Sequence, residues 1–497
     1  MKTATIKISN KEVSFKNQVD FCVGTGRWGL ALQAEYMDQL EYVQNEIGFK
    51  YIRGHGLFTD DMAIYHNRED RDGNKFEEYN FTYLNLVVDN YIKRGIKPFL
   101  ELGFMPKDMA SGDQTIFYWR GNVTPPAEYS RWNKMVQETL KHLMKRYGEE
   151  EVLTWPIEVW NEPNLPGFWK DANMEEYFKL FKETFYAIKE VNPKFRVGGP
   201  AICGVDDVRW MQKFMEFCSE EKIPLDFVTR HHYTTEMPEP SGHYGYQELS
   251  NPDDGFNVLQ VSRDIIDSFP EYKGLEMHIT EFNTSYIPNN PLHDTNQNAA
   301  YISYLLSKMG DMNESYSYWT FGDIFEEWGV PFSPFHGGFG MVANGIIPKP
   351  TFWAFKFFKD IKDSEYCVAR ERNFVVMKSA NGYKGVIWND SQTRTGEALK
   401  VDIELPEDEY VMVTKLVSEE CTNPLKAWED MGEPRSLTKS QLAILKSVAQ
   451  PKVGTEVTDG KLSFEVAEHG VLYFELEKRV FEGDRGYDYE RTMQFDK

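Results

Sequence analysis

The chain has 497 residues, 41% of them apolar and 15% aromatic, enough to bury a large core and to fill two or three domains. Its formal charge of −23, from 55 basic against 78 acidic residues, argues against nucleic acid and against an anionic membrane surface as partners. Five cysteines, Cys22, Cys203, Cys218, Cys367 and Cys421, form neither a CxxC pair nor a disulfide ladder, so free thiols in a reducing compartment are expected.

The opening residues, Met1 to Lys7, lack the apolar run of a signal peptide. No window reaches the ~18 apolar residues of a membrane span, and the expected location is the cytoplasm. Residues 4–8 and 13–15 alternate as strands do. Eight short apolar runs follow, at 19–24, 49–53, 97–102, 155–161, 195–199, 225–229, 275–281 and 316–320. Between them, sets such as Tyr36, Leu40, Val43, Ile47 and Met135, Thr139, Leu140, Leu143 repeat with the helical period. Eight strand-helix units predict an α/β fold, a (β/α)8 barrel over residues 17–360. A doubly wound open sheet fits less well, because polar and aromatic residues sit at the C-terminal ends of many strands.

After about Asp360 the texture becomes β-rich, with Asn373-Phe374-Val375-Val376-Met377, Gly385-Val386-Ile387-Trp388, Tyr410-Val411-Met412-Val413 and a run from Val471 to Leu476, and helical periodicity nearly vanishes. Residues 361–478, joined by the N-terminal strands of 1–16, are expected to form a β-sandwich. Residues 479–497, charged and aromatic, read as a C-terminal tail.

Two motifs carry the chemistry. Trp160-Asn161-Glu162-Pro163 ends the fourth run and Thr280-Glu281-Phe282-Asn283 ends the seventh. Strands four and seven face each other across a barrel mouth, so the two glutamates can flank one bond. Glycoside hydrolysis needs such a pair: one carboxyl protonates the leaving oxygen, and the other stays ionised on the opposite side of the sugar. The Asn161 amide can donate to a sugar 2-hydroxyl, a contact that strengthens as charge develops at the anomeric carbon. His231 and His232, adjacent on extended chain, point to opposite sides and make a poor chelate.

Gly24-Thr25-Gly26-Arg27-Trp28-Gly29 spells a dinucleotide fingerprint, but the next strand ends in Arg53 and His55, where a ribose needs an acid. In a barrel those glycines let backbone approach the pocket, which Arg27 or Trp28 would line. With no HExxH, P-loop or Gly-x-Ser-x-Gly string, neither a metal nor a cofactor is expected.

The string from Ile157 to Trp169, with Ile279 to Tyr286 and Phe332 to Gly340, resembles glycoside hydrolase family 39, its bacterial β-xylosidases above all. The likeness runs from about residue 19 to 345. It implies that Glu162 is the acid/base and Glu281 the nucleophile of a retaining mechanism. It further implies that His231 and Tyr233 face the pocket, Tyr233 donating to Glu281. Arg53 would hold Glu281 anionic, His55 would meet sugar hydroxyls, Trp319 would be a sugar platform, and Glu326 and Glu327 would bind hydroxyls. Loops running through Phe117 and from Phe325 to Trp328 would wall off a pocket for one terminal sugar. The expected activity is exo-acting: xylose is released from the non-reducing ends of xylo-oligosaccharides or from aryl β-xylosides. A uronate would bring a like charge beside Glu326 and Glu327, which favours a neutral sugar over an α-L-iduronidase-like specificity. An NAD-dependent oxidoreductase and a catalytically silent carbohydrate-binding protein are the alternatives from other classes. The resemblance also implies a homo-oligomer, a tetramer.

Overall fold

The computed structural model describes residues 2–9, 11–480 and 486–493. Eight parallel strands, Cys22–Arg27, Tyr51–His55, Lys97–Leu102, Ile157–Val159, Val197–Ile202, Phe227–Tyr233, Met277–Asn283 and Ser315–Tyr318, close in chain order into a barrel. Each overlaps one of the eight apolar runs. Their residues are buried almost without interruption, as strands covered on one face by helices and filled on the other must be. The helix Met174–Val191 shows how the cover is made. Asn173 caps it by accepting from the Glu176 amide; Tyr177, Phe181, Thr184, Phe185 and Ile188 form its buried stripe; and Asn192-Pro193 stops it.

Beyond the barrel and four two-stranded ribbons, the described residues form two larger sheets. The larger has six strands in the order Tyr366–Glu371, Phe374–Ser379, Gly382–Trp388, Val471–Lys478, Tyr410–Val417, Lys452–Thr458. The smaller joins Lys2–Lys7, Leu399–Glu404 and Lys461–Val466, with Lys2 opposite Leu399 and Lys7 opposite Glu404 in a parallel pair. Val376, Ile387, Val401, Ile403, Phe464 and Phe474 fill the space between the two sheets. Of residues 13–15, only Val13 makes a β-bridge, to Cys367.

The β-rich reading of the C-terminal part needs a correction. Two helices, Pro424–Asp430 and Lys439–Val448, interrupt it. The second opens with a capping box in which Thr438 and Gln441 satisfy each other's backbone amides. Trp428 and Leu445 pack on Phe335, Ala343 and Ile347, so this helix pair buttresses the loop after the eighth barrel strand. Of the tail, Gly486 to Met493 is described and exposed, ending in a short helix, Tyr489–Met493; residues 481–485 and 494–497 lie outside the described residues. No helix among the described residues is long and apolar enough to cross a membrane.

The loop after the eighth strand is pinned from beneath. The fully buried Lys349 ammonium lies 2.6 Å from Asp294 and 2.7 Å from Asp323 and donates to the Gly338 carbonyl at 2.8 Å. The two aspartates accept from the Gly337 and Gly340 amides in turn. Gly337 is required here: its φ is +74°, and a Cβ would meet the Asn290 carbonyl carbon at 2.5 Å.

Candidate active site

Glu162 stands three residues past the fourth strand, on backbone held in an uncommon conformation. Trp160 (φ 72°) and Glu162 (φ 44°) both lie in the left-handed region, where a side chain is strained. The turn is held by the Trp160 indole, which donates to the Phe168 carbonyl at 2.8 Å, and by the Glu162 amide, which donates to the Ala201 carbonyl at 2.9 Å. Glu281 lies within the seventh strand, in register with His231 of the sixth. His231 Nδ1 is 2.7 Å from Glu162 Oε1 and 3.5 Å from Glu281 Oε2. A carboxylate oxygen of Glu162 and one of Glu281 lie within 4.8 Å of each other.

One guanidinium organises the floor. Arg53, fully buried, donates from Nε to Glu158 at 2.5 Å, from Nη1 to Glu281 Oε1 at 2.7 Å and from Nη2 to Asn161 Oδ1 at 2.9 Å. Its Nη2 is also 3.0 Å from Glu101. Tyr233 donates its hydroxyl to the other oxygen of Glu281 at 2.7 Å, and Thr280 donates to Glu158 at 2.7 Å. With its oxygen held by Arg53, Asn161 aims an Nδ2 group that has no hydrogen-bond partner among the described residues.

The walls are aromatic. The His55 ring lies against Trp319 (centroids 4.7 Å apart), Phe104 and Phe117, and its Nδ1 is 2.7 Å from Glu101 Oε2. His55 Nε2 faces Glu281 Oε1 at 3.6 Å and Glu327 Oε1 at 4.0 Å. Trp319 is buried across Gly24, where a Cβ would meet its ring at 2.5 Å, so close packing accounts for a glycine of the dinucleotide-like string. The adjacent acids part company: Glu327 turns inward, whereas Glu326 accepts from Arg27 at 2.8 Å and from Gln33 at 3.2 Å. Arg27, also paired with Asp61, lies over the Trp119 ring. Trp28 does not line the pocket; its indole is buried in the core against Tyr91. His232 points away from His231, stacked on Phe256.

Burial dominates the electrostatics. It lifts the Glu162 carboxyl well above the usual range, and the nearby Glu281 charge adds to the rise. Glu281 is raised by burial too, but Arg53, His55 and the Tyr233 hydroxyl oppose the rise. Glu281 is therefore the member of the pair that keeps its charge. Glu327 is pushed well up by burial and then by Glu281 and Glu162. Burial drives His231 well below its ordinary value, with Arg53 next in effect, and takes His55 down to about 3, so both rings are neutral. The outcome is a protonated carboxyl and an ionised one side by side.

Two members of this network escaped the sequence reading. Glu101 and Glu158 each have no exposed surface. The available signal was a lone carboxylate inside an apolar strand, in Phe99-Leu100-Glu101-Leu102 and Ile157-Glu158-Val159, where burial demands a partner. Among the described residues, Glu162, His231 and Glu281 also converge closely enough to surround a cation, but Arg53 already neutralises Glu281 there.

A closed parallel barrel with two unlike glutamates facing each other at the C-terminal end of its strands defines a glycosidase. The profile of glycosyl hydrolases family 39 matches residues 4–462, and the chain belongs to that family. It is 47% identical over 491 residues to a beta-xylosidase of Geobacillus stearothermophilus, covering 96% of each chain. A beta-xylosidase of Caldicellulosiruptor saccharolyticus is 33% identical over 470 residues, covering 92% of each. The crystal structure of a monomeric beta-xylosidase from Caulobacter crescentus CB15 superposes with a TM-score of 0.85 at 31% identity, covering 96% of this chain and 100% of that one.

Proposed function

We propose that the protein is a retaining, exo-acting β-xylosidase. It takes xylose from the non-reducing ends of xylo-oligosaccharides, or from aryl β-xylosides, with Glu162 as acid/base and Glu281 as nucleophile. The observation that carries the reading is the close approach of the two carboxylates, whose nearest oxygens fall within 4.8 Å. Double displacement uses carboxyl groups roughly 5–5.5 Å apart, whereas inversion leaves roughly 6.5–9.5 Å for a water. Glu162 gives its proton to the glycosidic oxygen as a Glu281 oxygen bonds to the anomeric carbon. Glu162, now ionised, then takes a proton from water, which attacks that carbon and releases Glu281. Asn161 Nδ2 donates to the 2-hydroxyl, and His55 and Glu327 meet other hydroxyls. Phe117, Trp319 and Glu327 close the far side, so a single terminal sugar fits. A uronate would set a second negative charge beside Glu281, where Arg53 is already shared with Glu158, which favours a neutral glycone.

The test is hydrolysis of xylobiose and nitrophenyl β-xyloside followed by NMR. β-Xylose as the first-formed anomer supports the reading. α-Xylose first, or internal fragments from long xylan at early times, overturns it. Five free cysteines, four of them buried, support a reducing compartment, the cytoplasm. The tetramer implied by the family likeness has a counter-example in the monomeric Caulobacter crescentus relative, and light scattering distinguishes the two.

A further inference from the structure

Glu101 takes no part in the steps above, yet it sits fully buried at the centre of the site's floor. Its two oxygens are unequally placed. Oε2 is 2.7 Å from His55 Nδ1 and 3.0 Å from Arg53 Nη2, while Oε1 is buried with no hydrogen-bond partner among the described residues. The titratable groups facing it are Arg53 and His55 of the second strand, Glu158 and Glu162 of the fourth and its turn, and Glu281 of the seventh. Arg53 is the one cation in that set and already serves Glu158 and Glu281. A third full negative charge would be uncompensated, and an ionised Glu101 would leave Oε1 desolvated and unpaired.

We infer that Glu101 is a positioning residue that holds a proton on Oε2, donates it to His55 Nδ1, and so fixes His55 as the Nε2–H tautomer. The inference rests on the glycosidase reading of this site. The imidazole is neutral, so one ring nitrogen carries a hydrogen and the other a lone pair. With Glu101 protonated, Nδ1 accepts, and the Nε2–H points into the space bounded by Glu281 Oε1 at 3.6 Å and Glu327 Oε1 at 4.0 Å. It thereby offers a donor to the ionised nucleophile and to a sugar hydroxyl lying between them. With Glu101 ionised, Nδ1–H would donate to it, and the Nε2 lone pair would confront Glu281, acceptor against acceptor. The carboxyl of Glu101 is pushed up to about 8 by burial, with Arg53 opposing, so the change of tautomer falls on the alkaline side of neutrality.

Glu101→Gln separates the possibilities, because its amide donates to Nδ1 at every pH and imitates the protonated acid. In the wild type, KM for nitrophenyl β-xyloside is expected to rise about tenfold between pH 6 and 9, the loss of one donor to the substrate. In E101Q, KM should stay within about twofold of the wild-type pH 6 value across that range. Glu101→Leu, which has no donor, should raise KM about tenfold already at pH 6. An E101Q KM that is tenfold higher at pH 6, or that climbs with pH in parallel with the wild type, overturns the inference. A readout independent of turnover, and of whether any variant folds, is 15N NMR of histidine-labelled wild-type protein. His55 should carry its hydrogen on Nε2 at pH 6 and transfer it to Nδ1 above about pH 8, and a hydrogen on Nδ1 at pH 6 refutes the assignment. Were the glycosidase reading itself wrong, the wild type would fail to cleave the xyloside at any pH while the tautomer signal remained.

Discussion

The barrel mouth and the paired C-terminal sheets bury side chains on opposite principles. Between the sheets, Val376, Ile387, Val401, Phe464 and Phe474 interlock as apolar side chains, with the phenols of Tyr383 and Tyr410 among them. At the mouth, Glu101, Glu158, Glu162 and Glu281 gather around Arg53, with Glu327 beside His55, and their stability depends on which of them hold protons. Area burial stabilises the first region at any pH. The second exchanges some of that robustness for two carboxyls of equal chemistry and unequal charge.

If the mouth exists for chemistry, its loss should show in turnover first. Glu281→Ala is expected to lower kcat by about 10⁴-fold or more for good and poor leaving groups alike, because no glycosyl-enzyme can form. Azide should restore turnover by entering the vacated space and giving a glycosyl azide of inverted configuration. Wild-type-like rates would remove Glu281 from the mechanism.

Glu162→Ala should slow xylobiose cleavage by about 10²–10⁴-fold while sparing activated aryl xylosides, which need little proton assistance. Because burial and Glu281 raise the Glu162 carboxyl, wild-type activity should fall on the alkaline side as this acid loses its proton. On the acid side it should fall as Glu281, itself raised, gains one. For aryl substrates the kcat profile of Glu162→Ala, which the Glu101 effect on KM does not enter, should lose its alkaline limb. An unchanged limb assigns the acid elsewhere.

Arg53→Met sharpens the contrast in stability. Removing the cation leaves Glu158 and Glu281 buried and unpaired, which costs about 3–5 kcal/mol in urea unfolding. Ile387→Val, between the sheets, should cost about 0.5–1.5 kcal/mol and leave kcat/KM unchanged. A sheet variant that altered turnover, or an Arg53 variant as stable as the wild type, would erase the distinction.

The smallest effect is on stability against pH. Glu101, Glu162 and Glu327 hold their protons more tightly folded than unfolded, so their contribution is complete below the unfolded carboxyl range. It declines as pH rises, for Glu101 through about 8. Buried neutral histidines such as His55 and His231 gain stability as pH rises to about 7, so the downward drift in melting temperature should appear from pH 7 to 9, and less steeply in Glu101→Gln. An upward drift contradicts the assignment.

Much of this was legible because the barrel writes its period into the chain. The fourth apolar run, read at 155–161, contains the strand Ile157–Val159, and the seventh, at 275–281, overlaps Met277–Asn283. Arg53, His55, His231 and Tyr233 stand together as the motifs suggested, since residues two apart on a strand share a side. What escaped has physical causes. Glu101 and Glu158 lie within apolar strands, where only three-dimensional charge balance reveals a role. The helix Lys439–Val448 carries a visible capping box, Thr438 to Gln441, but the alternation around it masked its short stripe. Trp28 was misplaced because a short 3-10 turn, Trp28–Leu32, swings its indole back into the core.

The parallel pairing of Lys2–Lys7 with Leu399–Glu404 reaches across nearly 400 positions of chain. At a synthesis rate of ~5–20 residues per second, the first strand emerges roughly 20–80 s before its partner exists. The entire barrel passes out of the ribosome in that interval. Until then Lys2 to Lys7 is an unpaired ribbon whose free amides and carbonyls are open to other chains. Exposed Thr3, Thr5 and Lys7 alternate with half-buried Ala4 and Ile6, and Lys2 and Lys7 at its two ends supply charge against such encounters. Of the three strands in this sheet, Lys2–Lys7 thus waits longest for its place, while Lys461–Val466 is the last to be made.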